Sequence, residues 1–171
     1  MILAVLLAAA ALPAAAQKRD TLPSVQAGDP AVAGSKSGLP GADARAGEMT
    51  VYRSPTCGCC KKWVEHVKAH GFAVRDVVRG DMDAVKRELG VPGELQSCHT
   101  AVIGGYRIEG HVPAAEIRKV LQTKPPFLGL SVPGMPVGTP GMEMGGRKDA
   151  FAVVGFGPGP EVRVVREYPA E

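Results

Sequence analysis

Three cysteines fall within four residues at Cys57-Gly58-Cys59-Cys60, and a fourth, Cys98, lies far along the chain beside His99. Thiolate sulfur is both a nucleophile and a soft metal ligand, so this set can run disulfide exchange or hold a metal. Cys57 and Cys60 stand three apart, the spacing of a redox C-x-x-C pair on the first turn of a helix. Backbone N–H groups and the helix dipole at such a start favour thiolate over thiol, which lowers the pKa expected of the leading cysteine. Cys59 breaks the redox pattern. A third thiol between the pair offers a competing partner that scrambles a two-thiol cycle, whereas a polynuclear thiolate site benefits from it. Four cysteines allow three disulfide connectivities, but three side chains crowded at one helix start cannot all find distant partners, so chemistry accounts for the cluster better than a structural framework does.

Other donors accompany the sulfurs. His111 follows Gly110 in a glycine-flanked turn and is read as a ligand, while His99 is left unassigned. The segment from Val132 to Met144 carries Pro-Gly-Met twice, ending at Met135 and Met142, with Met144 two residues on. Methionine ordinarily fills gaps in a core, yet these lie where proline and glycine oppose regular structure. Thioether sulfur is soft and uncharged, and with thiolate it selects Cu(I) over zinc, and over calcium or magnesium, which want oxygen. The expected metal set is Cys57, Cys59, Cys60, Cys98, His111, Met135 and Met142, with copper as Cu(I) the metal; Met144 is left unassigned. A structural zinc domain is the weaker alternative, opposed by the repeated methionine. His66 and His70, at i and i+4 beside Lys62, read as a solvated helix face, Trp63 and Met82 as core, and Met49 as a strand residue.

These donors need a scaffold. Met49 to Tyr52 reads as a strand, and Ser54-Pro55-Thr56 carries helix-start signals before a helix over Lys61 to His70, ended by Gly71, with Trp63, Val64 and Val67 as its buried stripe. Phe72 to Val78 is a second strand, and Asp81 caps a helix reaching Leu89 that turns Met82, Val85 and Leu89 inward. Thr100 to Ile103, Gly104-Gly105 and Tyr106 to Glu109 form a hairpin, after which Pro113 opens a helix from Ala114 to Leu121 with Ile117, Val120 and Leu121 at helical spacing. Phe151 to Phe156 and Glu161 to Tyr168 pair around Gly157-Pro158-Gly159-Pro160. The expected class is α/β in the order β-α-β-α-β-β-α, similar to the thioredoxin-like layout in its small glutaredoxin version. A core over 48–123 is followed by a Met/Gly/Pro-rich loop over 124–147 and a C-terminal hairpin over 148–171. In that topology the first strand ends at the cysteine cluster, the third begins there and the fourth ends there, so Cys98 and His111 are drawn to it. Thioredoxins usually present a cis-proline before the third strand; Cys98-His99-Thr100 takes that place here.

A length of 171 residues suits one domain with appendages. The net charge of +3, with no long basic run, lacks the electrostatic footprint of a nucleic-acid binder. Residues 1–16 read as an export signal, with an apolar stretch from Ile2 to Leu12 and then Pro13 and Ala14-Ala15-Ala16 before the cleavage point, although no Lys or Arg precedes the stretch. It is shorter than the ~20 residues of a spanning helix, so no stable membrane insertion is expected after cleavage. Residues 17–47 show no period and read as a tether. Export places the thiols where they can be oxidised.

The segments Tyr52 to Cys60, Ser97 to Ala101 and Glu109 to Pro113, with the double Pro-Gly-Met, together resemble the CopG-like family of exported bacterial metal-binding proteins, long catalogued as a domain of unknown function and often encoded with copper-resistance systems. The resemblance covers Met49 to Met144. It implies a thioredoxin-like fold, Cu(I) held through Cys57, Cys59, Cys60 and Cys98 as a multi-copper cluster, and copper tolerance coupled to thiol redox. His111, Met135 and Met142 carry over as participants, and other periplasmic copper-handling proteins follow as partners. Two readings stay open: a periplasmic copper-binding protein of metal homeostasis, and a thiol-disulfide oxidoreductase in which Cys57 attacks and Cys60 resolves. Whether the chain is an enzyme, as a copper- or thiol-linked oxidoreductase, stays open with them.

Overall fold

A computed structural model describes residues 47–171. The leader expected over 1–16, and the tether expected over 17–47 apart from Gly47, lie outside the described residues. The chain runs β1 (Glu48–Arg53), α1 (Gly58–Ala69), β2 (Ala73–Val78), α2 (Met82–Glu88), a short 3-10 turn (Gly93–Leu95), β3 (His99–Ile103), β4 (Tyr106–Glu109), α3 (Ala114–Thr123), β5 (Gly129–Ser131), β6 (Phe151–Phe156) and β7 (Val162–Tyr168). The expected β-α-β-α-β-β-α order is therefore present, and the fold is mixed α/β.

One sheet holds all seven strands in the order β2-β1-β3-β4-β5-β6-β7. β1 is parallel to β2 and antiparallel to β3, and β4 is antiparallel to β3 and parallel to β5 across the α3 connection. A parallel pair needs such a crossover, and a helix is its usual form. Side chains alternate between the two faces of each strand, and the core divides accordingly. Val51, Ala101 and Ile103 pack with Trp63, Val64 and Val67 of α1 and Ile117 and Val120 of α3. Their neighbours Tyr52 and Val102 pack on the other face with Val85 and Leu89 at α2.

Two elements differ from the sequence expectation. Helix α1 begins at Gly58 rather than Lys61, because Cys57 serves as its N-cap and its sulfur accepts the Cys60 N–H at 3.3 Å. That places Cys59 and Cys60 on the first turn of the helix, with Cys57 as its extended cap. The loop expected over 124–147 is also interrupted by β5, which joins the C-terminal hairpin to the main sheet through antiparallel pairing with β6. Three residues are too few to display a period. Gly129 belongs there for a steric reason: a Cβ on it would come within 2.2 Å of the Arg107 carbonyl oxygen.

Candidate metal centre

The rim of the sheet where β1 ends and α1 begins is also where β3 starts and β4 stops. Arg53 faces His99 across β1 and β3, and Thr100 faces Glu109 across β3 and β4. The Gly110 N–H donates to the His99 carbonyl at 2.9 Å, which carries the pairing one step beyond β4. Cys98, just before β3, and His111, just after β4, are thus delivered to the start of α1.

All four sulfurs meet there. Cys57 and Cys60 are joined by a disulfide, and Cys59 and Cys98 are free thiols. Cys59 Sγ lies 3.5 Å from Cys57 Sγ and 3.9 Å from Cys98 Sγ. The four sulfur atoms all fall within 4.8 Å of one another. Cys98 is shared with a second group, since its Sγ lies 3.0 Å from His111 Nε2 and 3.2 Å from His99 Nδ1. Cys98, His99 and His111 also place one donor atom each within 4.8 Å.

The ring of His111 is oriented from behind. Its Nδ1 lies 2.8 Å from the Pro140 carbonyl oxygen. A carbonyl only accepts, so Nδ1 carries the proton and Nε2 turns a lone pair towards Cys98. Pro140 belongs to the segment from Val132 to Met144, which is strapped across the rim. Gly141 adopts φ +84°, and a Cβ there would come 2.7 Å from the Trp63 nitrogen and 2.8 Å from the Cys59 carbonyl oxygen, so the strap sits on the first turns of α1. Ser97 Oγ donates to the Gly134 carbonyl. Asp149 receives the Val137 N–H at 3.0 Å and returns its own N–H to the Val137 carbonyl at 2.9 Å. The methionines on this strap are placed unequally: Met135 is 54% exposed and Met144 66% exposed, while Met142 is half-buried next to Gly141.

His99 is fully buried, its ring 4.4 Å from that of Trp63 and 5.1 Å from that of His111. Trp63 is core as expected and spends its indole N–H on the Val112 carbonyl at 3.0 Å. The Nε2 of His99 has no hydrogen-bond partner among the described residues, a costly condition for a buried polar atom. Burial, then the neighbouring His111 and Lys86, hold the His99 imidazole well below its ordinary pKa, and burial lowers that of His111. Both are neutral rings at pH 7, the form that binds metal. Burial pushes the Cys98 thiol up to about 12, with the adjacent Cys59 adding to the rise and Ser97 and Lys86 opposing it. A metal that binds Cys98 must displace that proton.

Beneath the rim lies a polar cluster that the sequence reading did not find. Glu109 is fully buried and Lys86 nearly so. The Lys86 ammonium donates to Glu109 Oε1 and, at 3.1 Å, to Thr100 Oγ1. Glu109 Oε1 also accepts the Ser97 N–H at 2.7 Å, and Oε2 accepts the Thr100 hydroxyl at 2.6 Å. One carboxylate therefore ties the loop before Cys98 to the strand that leads to His111. A lysine on a short helix reads as surface, and no local spacing marks it otherwise. His66 also departs from expectation, being half-buried with its Nε2 accepting the Ala114 N–H at 3.3 Å, whereas His70 is exposed.

The fold and rim define an α/β domain with a thiol-rich site capable of holding metal. A family profile described as "Protein of unknown function, DUF411" matches residues 95–142. The solved structure titled "Copper resistance protein copG- Form 1" is 51% identical, with a TM-score of 0.69, over 73% of this chain and 99% of that one. "Copper resistance protein copG- Form 2" is 50% identical over 73% of this chain and all of that one, also with a TM-score of 0.69. No curated protein matches. The chain belongs to the CopG family.

Proposed function

We propose that this chain is a copper-handling protein of the exported compartment that, with its cysteines reduced, binds Cu(I) through Cys57, Cys59, Cys60 and Cys98. The observation that carries this reading is the arrival of Cys98, remote in sequence, with its Sγ 3.9 Å from Cys59 in a set of four sulfurs spanning no more than 4.8 Å. The donors fit the ion: thiolates are soft, and a neutral imidazole with its lone pair aimed at the set is a compatible neighbour. His111 serves as a ligand in this reading, and Met142, half-buried on the strap, completes the site ahead of the more exposed Met135. Copper is cargo here, and the solved relatives titled as copper-resistance proteins support that assignment. The apolar leader over residues 1–16 supports export to the periplasm. No helix among the described residues is long and apolar enough to cross a membrane.

Thiol redox is coupled to binding in this proposal, since the Cys57–Cys60 disulfide removes two of the four ligands and reduction restores them. The same disulfide favours a second reading, a thiol-disulfide oxidoreductase in which Cys57 attacks a substrate disulfide and Cys60 resolves the mixed species. Anaerobic titration of the fully reduced chain with Cu(I) against a competing chelator, followed by metal analysis and X-ray absorption, tests the first. Saturation with sulfur-dominated coordination is expected. A reduced chain that leaves Cu(I) with the chelator, yet reduces protein disulfides through Cys57 and Cys60 alone, would replace it with the second.

A further inference from the structure

Two thiols at the rim are left over once Cys57 and Cys60 have bonded. They are Cys59, on the first turn of α1, and Cys98, in the loop before β3, 39 residues apart in sequence and 3.9 Å apart at their sulfurs. A disulfide requires about 2 Å between sulfurs, so closing this pair asks the two sulfurs to approach by roughly 2 Å. The chain has four cysteines, so with the first pair closed each of these thiols is the only intramolecular partner of the other. The backbones that carry them are fixed: Cys59 lies under Gly141 of the strap, and Cys98 is flanked by Ser97, whose N–H is held by Glu109 and whose hydroxyl is held by Gly134.

We propose that Cys59 and Cys98 form a second disulfide, so that the rim oxidises in two steps, first Cys57 with Cys60 and then Cys59 with Cys98. The oxidant is a disulfide, either small or carried by a protein, of the kind that oxidising compartments maintain. In the second step the oxidant's S–S bond breaks and the Cys59–Cys98 S–S bond forms. The two electrons lost by the pair pass to the oxidant, and the two thiol protons leave on the two thiols it releases. The rim thus has three states, with four thiols, two thiols or none. The bond also welds α1 to the loop before β3, whereas the first disulfide stays within one helical turn. Its consequence for metal rests on the copper reading above: the intermediate state keeps Cys59, Cys98, His99 and His111 as donors, and the last keeps only nitrogen and thioether.

The test is made without metal on the full chain. The protein is reduced, treated with increasing oxidised glutathione, blocked with N-ethylmaleimide and weighed intact, and then digested without reduction. Adducts are expected to fall from four to two and then to none, with no gain of dimer. The final digest should hold the peptide bearing Cys57, Cys59 and Cys60 joined to the peptide bearing Cys98. In Cys98→Ser the fall should stop with one adduct, on Cys59. The doubly substituted Cys57→Ser, Cys60→Ser chain should still pass from two adducts to none, which keeps the test independent of the first pair. Two adducts persisting on Cys59 and Cys98 at excess oxidant, or Cys98 joined to Cys57 or Cys60, would overturn the proposal. Because no copper is present, failure here leaves the Cu(I) titration to stand or fall by itself.

Discussion

His111 Nε2 lies 3.0 Å from Cys98 Sγ, one residue following the hairpin of β3 and β4 and the other preceding it. The hairpin alone brings them to one rim. The facing of ring and sulfur needs two further constraints, the Pro140 carbonyl behind Nδ1 and the Glu109 carboxylate on the Ser97 N–H.

Replacing Cys98 by Ser should therefore weaken Cu(I) binding nearly as much as Cys57→Ser does, with the two variants agreeing within about tenfold, or about 1.4 kcal/mol, in a chelator competition. An unchanged stoichiometry and affinity in Cys98→Ser would sink the four-sulfur reading.

Gly141→Ala tests the strap. The added methyl has no room against Trp63 and Cys59, and alanine resists the φ of +84°. The strap should lift and release His111 Nδ1. Removing such an orienting partner lowers metal affinity by about 10- to 100-fold. Far-ultraviolet circular dichroism should stay unchanged while the Cu(I) competition shifts; equal affinity would mean that Pro140 does not set the ring.

The buried ion pair gives a stability prediction. Lys86→Met leaves the Glu109 carboxylate without its cation and should cost about 3–5 kcal/mol in urea unfolding. Adding Glu109→Gln removes the stranded charge and should recover part of that loss, because a paired buried ion contributes little net energy compared with neutral groups. Additive losses in the double variant would show that the two residues are not coupled.

Acid should destabilise the reduced, metal-free chain through its rim. His99 and His111 have folded pKa values below the ordinary 6.5. The unfolded chain then binds more protons than the folded one in the window below 6.5, so stability is intact above that value and is lost as pH falls through it towards the lower folded values. Melting temperature should drop between about pH 7 and pH 5, and His99→Phe should flatten the slope. A slope unaffected by that substitution would assign the acid sensitivity elsewhere.

Much of this arrangement could be read from the chain because its signals were local. Apolar spacing over Trp63, Val64 and Val67 marked α1, Gly104-Gly105 marked the hairpin, and the strand order then delivered Cys98 and His111 to the rim where α1 begins. What escaped depended on contacts between distant residues. Lys86 became buried only because Glu109 and Thr100 meet on adjacent strands. β5 was hidden by its brevity and by Gly129, a residue that ordinarily argues against a strand. The half-burial of His66 followed from the Ala114 N–H at the start of α3, which no spacing within α1 encodes. The uneven exposure of Met135, Met142 and Met144 likewise depends on how Gly141 and Asp149 pin their segment.

β5 is only three residues long, yet it sits between the hairpin of β3 and β4 and that of β6 and β7. The methionine strap is the connection from β5 to β6, so its two ends leave neighbouring strands of one sheet. A shortened protein ending at Met144 would lose β6 and β7, along with the Asp149 carboxylate that holds Val137. The strap would then become a tail fastened at one end, with the β5 edge laid bare for pairing with another chain. The terminal strands are in this sense part of the clamp that keeps the thiol-rich rim closed on itself.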